Sequence, residues 1–393
     1  MTTAPVAVRR LRAVTRPADP PADLLDELGP DGFAWLQGDA GFVTSGVAIR
    51  VHPDDAVEVL AEIDHDDEVG TTGSGPIAAG ALPFSPSAED TLVLPSRIVG
   101  RHPDGRGWVT EIGTRPRVPA RLGRPPAHFE VTTTTTRAAW AAAVDAALAS
   151  IRLGDLEKVV LARAVEIVAD RPFLRREVLA RLRSQQPGCC IYADDGFLGA
   201  TPELLVRRNG AVVSSRPMAG SASADDPVGL DRLAASAKDA REHRLVVDAI
   251  IETLAPWCAT LEADDVPVVA SFSTIAHLAT NVAGTLRDPP PDALTLARAL
   301  HPTPAVGGVP RVAALDAILR LEAAPRGCYA GPVGWVDTRG DGEWGVALRG
   351  ATIEGATARL HAGAGIVDGS VASAEWSETE AKLAPMLRAL TGD

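Results

Sequence analysis

Near its C-terminus the chain reads Leu360-His361-Ala362-Gly363-Ala364-Gly365-Ile366-Val367, and a few residues later Glu375-Trp376-Ser377-Glu378-Thr379-Glu380-Ala381-Lys382. The first stretch has the composition of a buried strand, and its two glycines let backbone N–H groups approach a ligand closely. The second, taken as a helix, collects Glu375, Glu378 and Lys382 on a single face. A solvated helix with spaced charges would also contain such an octapeptide. Its weight comes from the glycine-bearing strand that precedes it.

A second constraint is a count. Of 38 basic residues only Lys158, Lys238 and Lys382 are lysines. Arginine fills the generic positive positions, so the lysines point to tasks that an always-protonated guanidinium cannot perform.

At 393 residues the chain can bury a large core, as two or three domains or as one large α/β or α+β domain. The formal net charge of -13 argues against nucleic acid as a partner and makes an anionic ligand hard to hold without local arginine or a metal cation. The four cysteines show no CxxC spacing, so neither a zinc site nor a disulfide framework is indicated and a reducing cytoplasm is the default. No run approaches the roughly 18 apolar residues of a membrane helix. The arginine-rich start, through residue 22, reads as a flexible tail.

Along the chain, Phe33 to Leu36 and Phe42 to Val51 read as strands and Asp54 to Ile63 as a short helix. The Gly-, Pro- and Arg-rich stretch from Arg101 to Pro126 reads as a long surface connection. Arg137 to Arg152 is a helix with Trp140, Val144, Leu148 and Ile151 at helical spacing and Gly154 just beyond its end. Glu157 to Arg163 is a β-type run, followed by short strands and an Asn209-Gly210 hairpin signal. Leu230 to Leu254 reads as one long helix on which Asp239 and Glu242 share a face. His277 to Thr280 and His301 to Gly308 are turn-rich, and strands are expected at Gly331 to Val336 and Trp344 to Ala351. No coiled-coil heptad stands out, so a monomer is expected.

Two acid-bearing helices, glycine-rich strand ends and isolated lysines suit an oxygen-ligated divalent cation holding an anionic substrate. Magnesium is favoured over zinc because no His or Cys cluster is present.

Taken together and in order, GALPF, EKVVLAR, GATPELLVRR, RPMAGSA, KDAREHRLVVDAI, HLAT, LHPTPAVGG, RGCYAGPVGW, VALRGA, LHAGAGIV and EWSETEAK resemble the chorismate-utilising enzymes, and most closely the isochorismate synthases of siderophore and menaquinone pathways. The resemblance implies an α+β fold of large, mainly antiparallel sheets flanked by helices, in one catalytic domain over residues 23–393 whose part before about residue 130 is more divergent. It implies addition of water at C2 of chorismate and loss of the C4 hydroxyl, with Lys158 as base and Glu203 as acid. Glu203 must then be held protonated and the Lys158 amine made available as a neutral base.

The family pattern also places Mg2+ on Glu242 and Glu378, with Glu375 and Asp239 one turn earlier acting through waters. It places the second substrate carboxylate on Arg349 with Tyr329 close by, assisted by the N–H groups of Gly363 and Gly365 and by Lys382. His277 is expected to orient the C4 oxygen or a ring substituent, and Gly220-Ser221 to line the ring pocket. Lysine at 158 favours water over ammonia as nucleophile. Alanine at 305, where aminating and salicylate-forming relatives carry threonine, favours release of isochorismate. The nearest rival is a salicylate synthase, which would go on to eliminate pyruvate; an aminating synthase and a non-catalytic chorismate-binding protein are more distant ones.

Overall fold

The computed structural model describes residues 11–113 and 123–392. Its backbone is organised on two adjacent strands, Lys158–Ala169 and Thr357–Ile366, which run antiparallel in unbroken register from Val159↔Ile366 to Val168↔Thr357. Valine, isoleucine, leucine and alanine supply nine of the twelve residues of the first strand, which is buried on two faces over most of its length, and five of the ten of the second. Backbone pairing extends from them until twenty of the described strands form one continuous sheet, antiparallel throughout except where Arg12–Ala18 runs parallel to Asp64–Asp67. A separate three-stranded sheet is made by Met218–Ser223, Val268–Ser271 and Ile275–Ala279. Helices pack on these sheets, and the largest apolar cluster draws on residues from Ala13 to Trp376. The fold is therefore the large antiparallel α+β arrangement that the sequence implied.

Several local elements follow their sequence signals closely. Arg137–Leu153 starts at Thr136, whose side chain accepts from the Ala139 N–H, and stops at Gly154 with φ 83. Trp140, Val144 and Leu148 lie buried along one face, as their spacing predicts.

Others differ. Residues 1–10 lie outside the described part, but Arg12–Ala18, expected as tail, is a strand between Asp64–Asp67 and Gly107–Ile112. Ala13 and Thr15 point inward, and Arg16 faces the acidic edge, pairing with Asp66 at 2.6 Å and Glu68 at 3.3 Å. The arginines that made the segment look solvated are its match to a neighbouring strand rich in aspartate. Gly107–Ile112, expected as surface connection, is likewise a strand, while 114–122 lie outside the described residues.

The long helix expected from Leu230 to Leu254 is two, Pro227–Ala235 and Ala237–Leu254. They are separated at Ser236, which leaves helical geometry (ψ 114) and caps the second by accepting from the Asp239 N–H. The turn-rich reading at His277 is also overturned, since His277 lies within a fully buried strand. The strand expected over Trp344 to Ala351 is interrupted: Gly342–Val346 and Gly350–Glu354 flank a break containing Arg349, whose φ is 50. Among the described residues no helix is long and apolar enough to cross a membrane.

Candidate active site

Within the Lys158–Ala169 and Thr357–Ile366 pair, two backbone N–H groups of the first strand point away from the second and are engaged on the other side. The Ala162 N–H donates to Glu322 at 2.8 Å, and the Val160 N–H donates to the Gly307 carbonyl at 2.8 Å. Their partners across the ladder are Gly363 and Gly365, so these two glycines occupy non-hydrogen-bonded positions and turn their polar groups to the open edge. The Lys382 ammonium donates to the Gly363 carbonyl at 2.9 Å from that side. Glu322 is fixed by a buried pairing with Arg326 at 2.5 Å, and Arg326 also donates to the carbonyls of Val160 and Val306.

Along this open edge lies a cavity of about 270 Å3. One end is built by two helices. On Ala237–Leu254, the stripe His243, Val246, Ile250 and Leu254 is buried, and this turns Asp239 and Glu242 toward the cavity. On Ala372–Thr391, Trp376 and Thr379 are locked to the lysine-bearing strand by Arg163, which donates to Thr379 Oγ1 at 2.6 Å and lies 3.9 Å over the Trp376 ring. The same helix then presents Glu375, Glu378 and Lys382 to the cavity, the face that sequence spacing predicts.

Lysines hold these acids. Lys158, 1 % exposed, places its amine 2.8 Å from Glu242, and Lys382 lies 2.6 Å from Glu378. Gly365 leaves the room for this: a Cβ there would sit 2.7 Å from Glu242 Oε1 and 3.3 Å from Lys158 Cε. Burial works to raise the Glu242 pKa, but Lys158, with Lys382 and Lys238 beyond it, outweighs burial and holds the group below its ordinary range. Glu375 goes the other way, to about 7, because it is buried and faces the charges of Glu378 and Glu242.

The four acids supply oxygen donors only, so the set suits a hard divalent cation in chemistry. Among the described residues no three His, Cys, Asp or Glu side chains are gathered closely enough to hold an ion with the lysines in these positions.

The opposite end is built around Arg349, which is 6 % exposed. Its Nη2 donates to His277 Nε2 at 2.9 Å, its guanidinium lies 5.1 Å from the Phe272 ring centre, and its buried Nη1 has no hydrogen-bond partner. His277 Nδ1 sits 2.8 Å from the Gly220 carbonyl and 3.2 Å from Ser221 Oγ, which in turn is 3.2 Å from Glu378. Gly220 has φ 69, and a Cβ there would come within 3.1 Å of Asp239. Only glycine meets both demands.

Glu203 follows the Phe197–Thr201 strand, and its backbone is held from both sides: its N–H donates to Thr201 Oγ1, and its carbonyl accepts from the Val346 N–H. The side chain is buried, and burial lifts its pKa to about 7 against the pull of the Met218 N–H, Lys158, Lys382 and Arg349. This is a carboxyl poised to hold a proton near neutrality.

Glu203, Gly220, Ser221, Asp239, Glu242, His277, Ala305, Tyr329, Arg349, Gly363, Gly365, Glu375, Glu378 and Lys382 all line this one cavity, and Lys158 reaches it through Glu242. Among the other lining residues, Lys238 was singled out by the lysine count without a specific role, and His361 was not singled out at all. His361 stacks on Tyr329 at 5.3 Å and shares a strand face with Gly363 and Gly365. Its period-two spacing from those glycines was the available signal.

The family model described as chorismate binding enzyme matches residues 115–391. The chain belongs to the chorismate-binding enzymes. Within that family it is 43% identical over 266 residues to isochorismate synthase DhbC of Bacillus subtilis, covering 64% of this chain and 67% of the relative. It is 35% identical over 381 residues to isochorismate synthase EntC of Escherichia coli K12, covering 92% and 95%. The solved structure of MenF, the menaquinone-specific isochorismate synthase of Escherichia coli, superposes with a TM-score of 0.83 at 27% identity, over 97% of this chain and 94% of that one.

Proposed function

We propose that this protein is a Mg2+-dependent isochorismate synthase that reversibly converts chorismate to isochorismate and releases it. The observation that carries the reading is that the buried Glu203 carboxyl, with a pKa of about 7, lines one small cavity with the acids of two helices, one of which, Glu242, is paired with the buried Lys158. Water adds at C2 as Lys158 takes one of its protons. The ring double bonds shift, the C4–O bond breaks, and Glu203 gives its proton to the departing hydroxyl, which leaves as water. One water is consumed and one released, so substrate and product are isomers.

Asp239, Glu242, Glu375 and Glu378 would hold Mg2+, which supplies charge to neutralise the Glu242 carboxylate and bind a substrate carboxylate. Arg349, which lines the cavity, receives the other carboxylate, with Tyr329 and the open edge of Gly363 and Gly365 beside it. Lys382 balances that charge, and Gly220, Ser221 and Ala305 shape the ring pocket.

The test is incubation of the purified protein with chorismate and Mg2+, followed by chromatographic separation of products. Isochorismate at an equilibrium ratio with chorismate, reached from either side and abolished by EDTA, supports the reading. Salicylate appearing without an added lyase assigns the chain to salicylate synthesis. Unchanged chorismate overturns the enzymatic reading.

A further inference from the structure

The imidazole of His277 has no nitrogen left over for a substrate. Nδ1 lies 2.8 Å from the Gly220 carbonyl, which can only accept, so Nδ1 carries the hydrogen. Nε2 then presents a lone pair, and Arg349 Nη2 donates to it at 2.9 Å. We propose that His277 is a positioning residue: a neutral imidazole that fixes the Arg349 guanidinium for a substrate carboxylate and exchanges no proton with the ring. This rests on the isochorismate synthase reading and revises the direct role that the family resemblance suggested for His277.

Three further observations support it. Arg349 lies in a break of the large sheet and Gly220 at a bulge of the three-stranded sheet, both with left-handed backbone geometry at φ 50 and 69, so the imidazole ties together irregular points of two separate sheets. The face of the arginine is covered by Phe272, whose ring is also 6.3 Å from that of His277, so the guanidinium is held by the imidazole nitrogen at one edge and an aromatic ring on its face. The groups around the imidazole also oppose its protonation: burial, then Arg349 and Lys382, hold its pKa well below the ordinary value.

The experiment compares His277→Leu and His277→Gln, with steady-state kinetics on chorismate and Mg2+ at several pH values. The glutamine amide offers one donor and one acceptor at a separation close to that of the two ring nitrogens, and it does not titrate. His277→Leu should raise KM about ten- to a hundredfold, the range for losing a hydrogen bond to a charged group, with kcat lowered far less. His277→Gln should recover most of that loss, and both should keep the wild-type shape of the kcat pH profile.

If His277→Leu does not fold, His277→Gln decides alone: kcat within about tenfold of wild type supports positioning, whereas a loss of about 10² or more, as expected for removing an acid or base, overturns it. Equal collapse of kcat in both variants also overturns it. Binding of chorismate by calorimetry in a Lys158→Ala background gives a readout without turnover, where adding His277→Leu should weaken Kd by the same factor as KM. Wild-type protein that fails to convert chorismate would refute the functional reading instead, before either variant is made.

Discussion

At one end of the cavity lie four carboxylates from two helices, two of them paired with lysines: Glu242 with Lys158 of a neighbouring strand, and Glu378 with Lys382 one turn along its own helix. At the other a buried arginine meets an imidazole nitrogen and an aromatic ring. The lysine end is adaptable, because an ammonium on a flexible stem can leave one carboxylate for another partner. The arginine end is rigid, because a planar guanidinium fixed at one nitrogen has its free nitrogen fixed too. Under the proposed function, in which the site binds an ion and also orients a ring, both are used: charge that can be redistributed, and a donor that stays where it is.

The contrast is broken most severely at Lys158. Lys158→Ala should lower kcat by about 10³- to 10⁴-fold while chorismate still binds in the presence of Mg2+, whereas Glu242→Ala should lose both; calorimetry beside kinetics separates the two. Matching, wild-type-like rates in the pair would end the assignment of roles.

Glu203 senses both ends, since Lys158, Lys382 and Arg349 all act on it. Its folded pKa of about 7 lies above the ordinary 4.5, so its contribution to stability is full below about 4.5 and is lost as pH rises through about 7. Glu203→Gln should therefore gain on the wild type as pH rises, by up to about 3 kcal/mol between pH 4.5 and pH 8 in urea unfolding. A pH-independent difference would show that burial does not hold this proton.

Arg349→Gln should raise KM about ten- to a hundredfold with a smaller change in kcat, from loss of the charged donor. The mildest change is Gly365→Ala, because its Cβ meets the movable ends of Glu242 and Lys158. Folding stability by thermal melt should stay near wild type while kcat falls about tenfold, a cost of roughly 1.4 kcal/mol in transition-state stabilisation. Full activity in this variant would mean that the close approach of the two side chains is not needed.

The acid-bearing helix was legible because Glu375, Glu378 and Lys382 recur at helical spacing. So were the two glycines, which mark a strand that something must approach. Arg12–Ala18 and Gly107–Ile112 were not: an arginine- and proline-rich segment looks solvated until the aspartates of a neighbouring strand are placed beside it. The stop at Ser236 was hidden for a related reason, since a serine inside a helical pattern becomes a cap only when a new direction is imposed on the chain.

Residue types, their periodicities and their rarity singled out three lysines among 38 basic residues, acids one helical turn apart and glycines two residues apart in a strand; that these belong to one site was implied by the resemblance of the ordered motifs to a family. Which lysine would sit on which acid, how far Glu203 would be lifted toward neutrality, and that His277 would face Arg349 were decided only in three dimensions. The physical reason is that spacing along a chain fixes directions within one element. Burial, charge–charge distance and the partner of a ring nitrogen depend on elements far apart in sequence, and arise only when those elements pack.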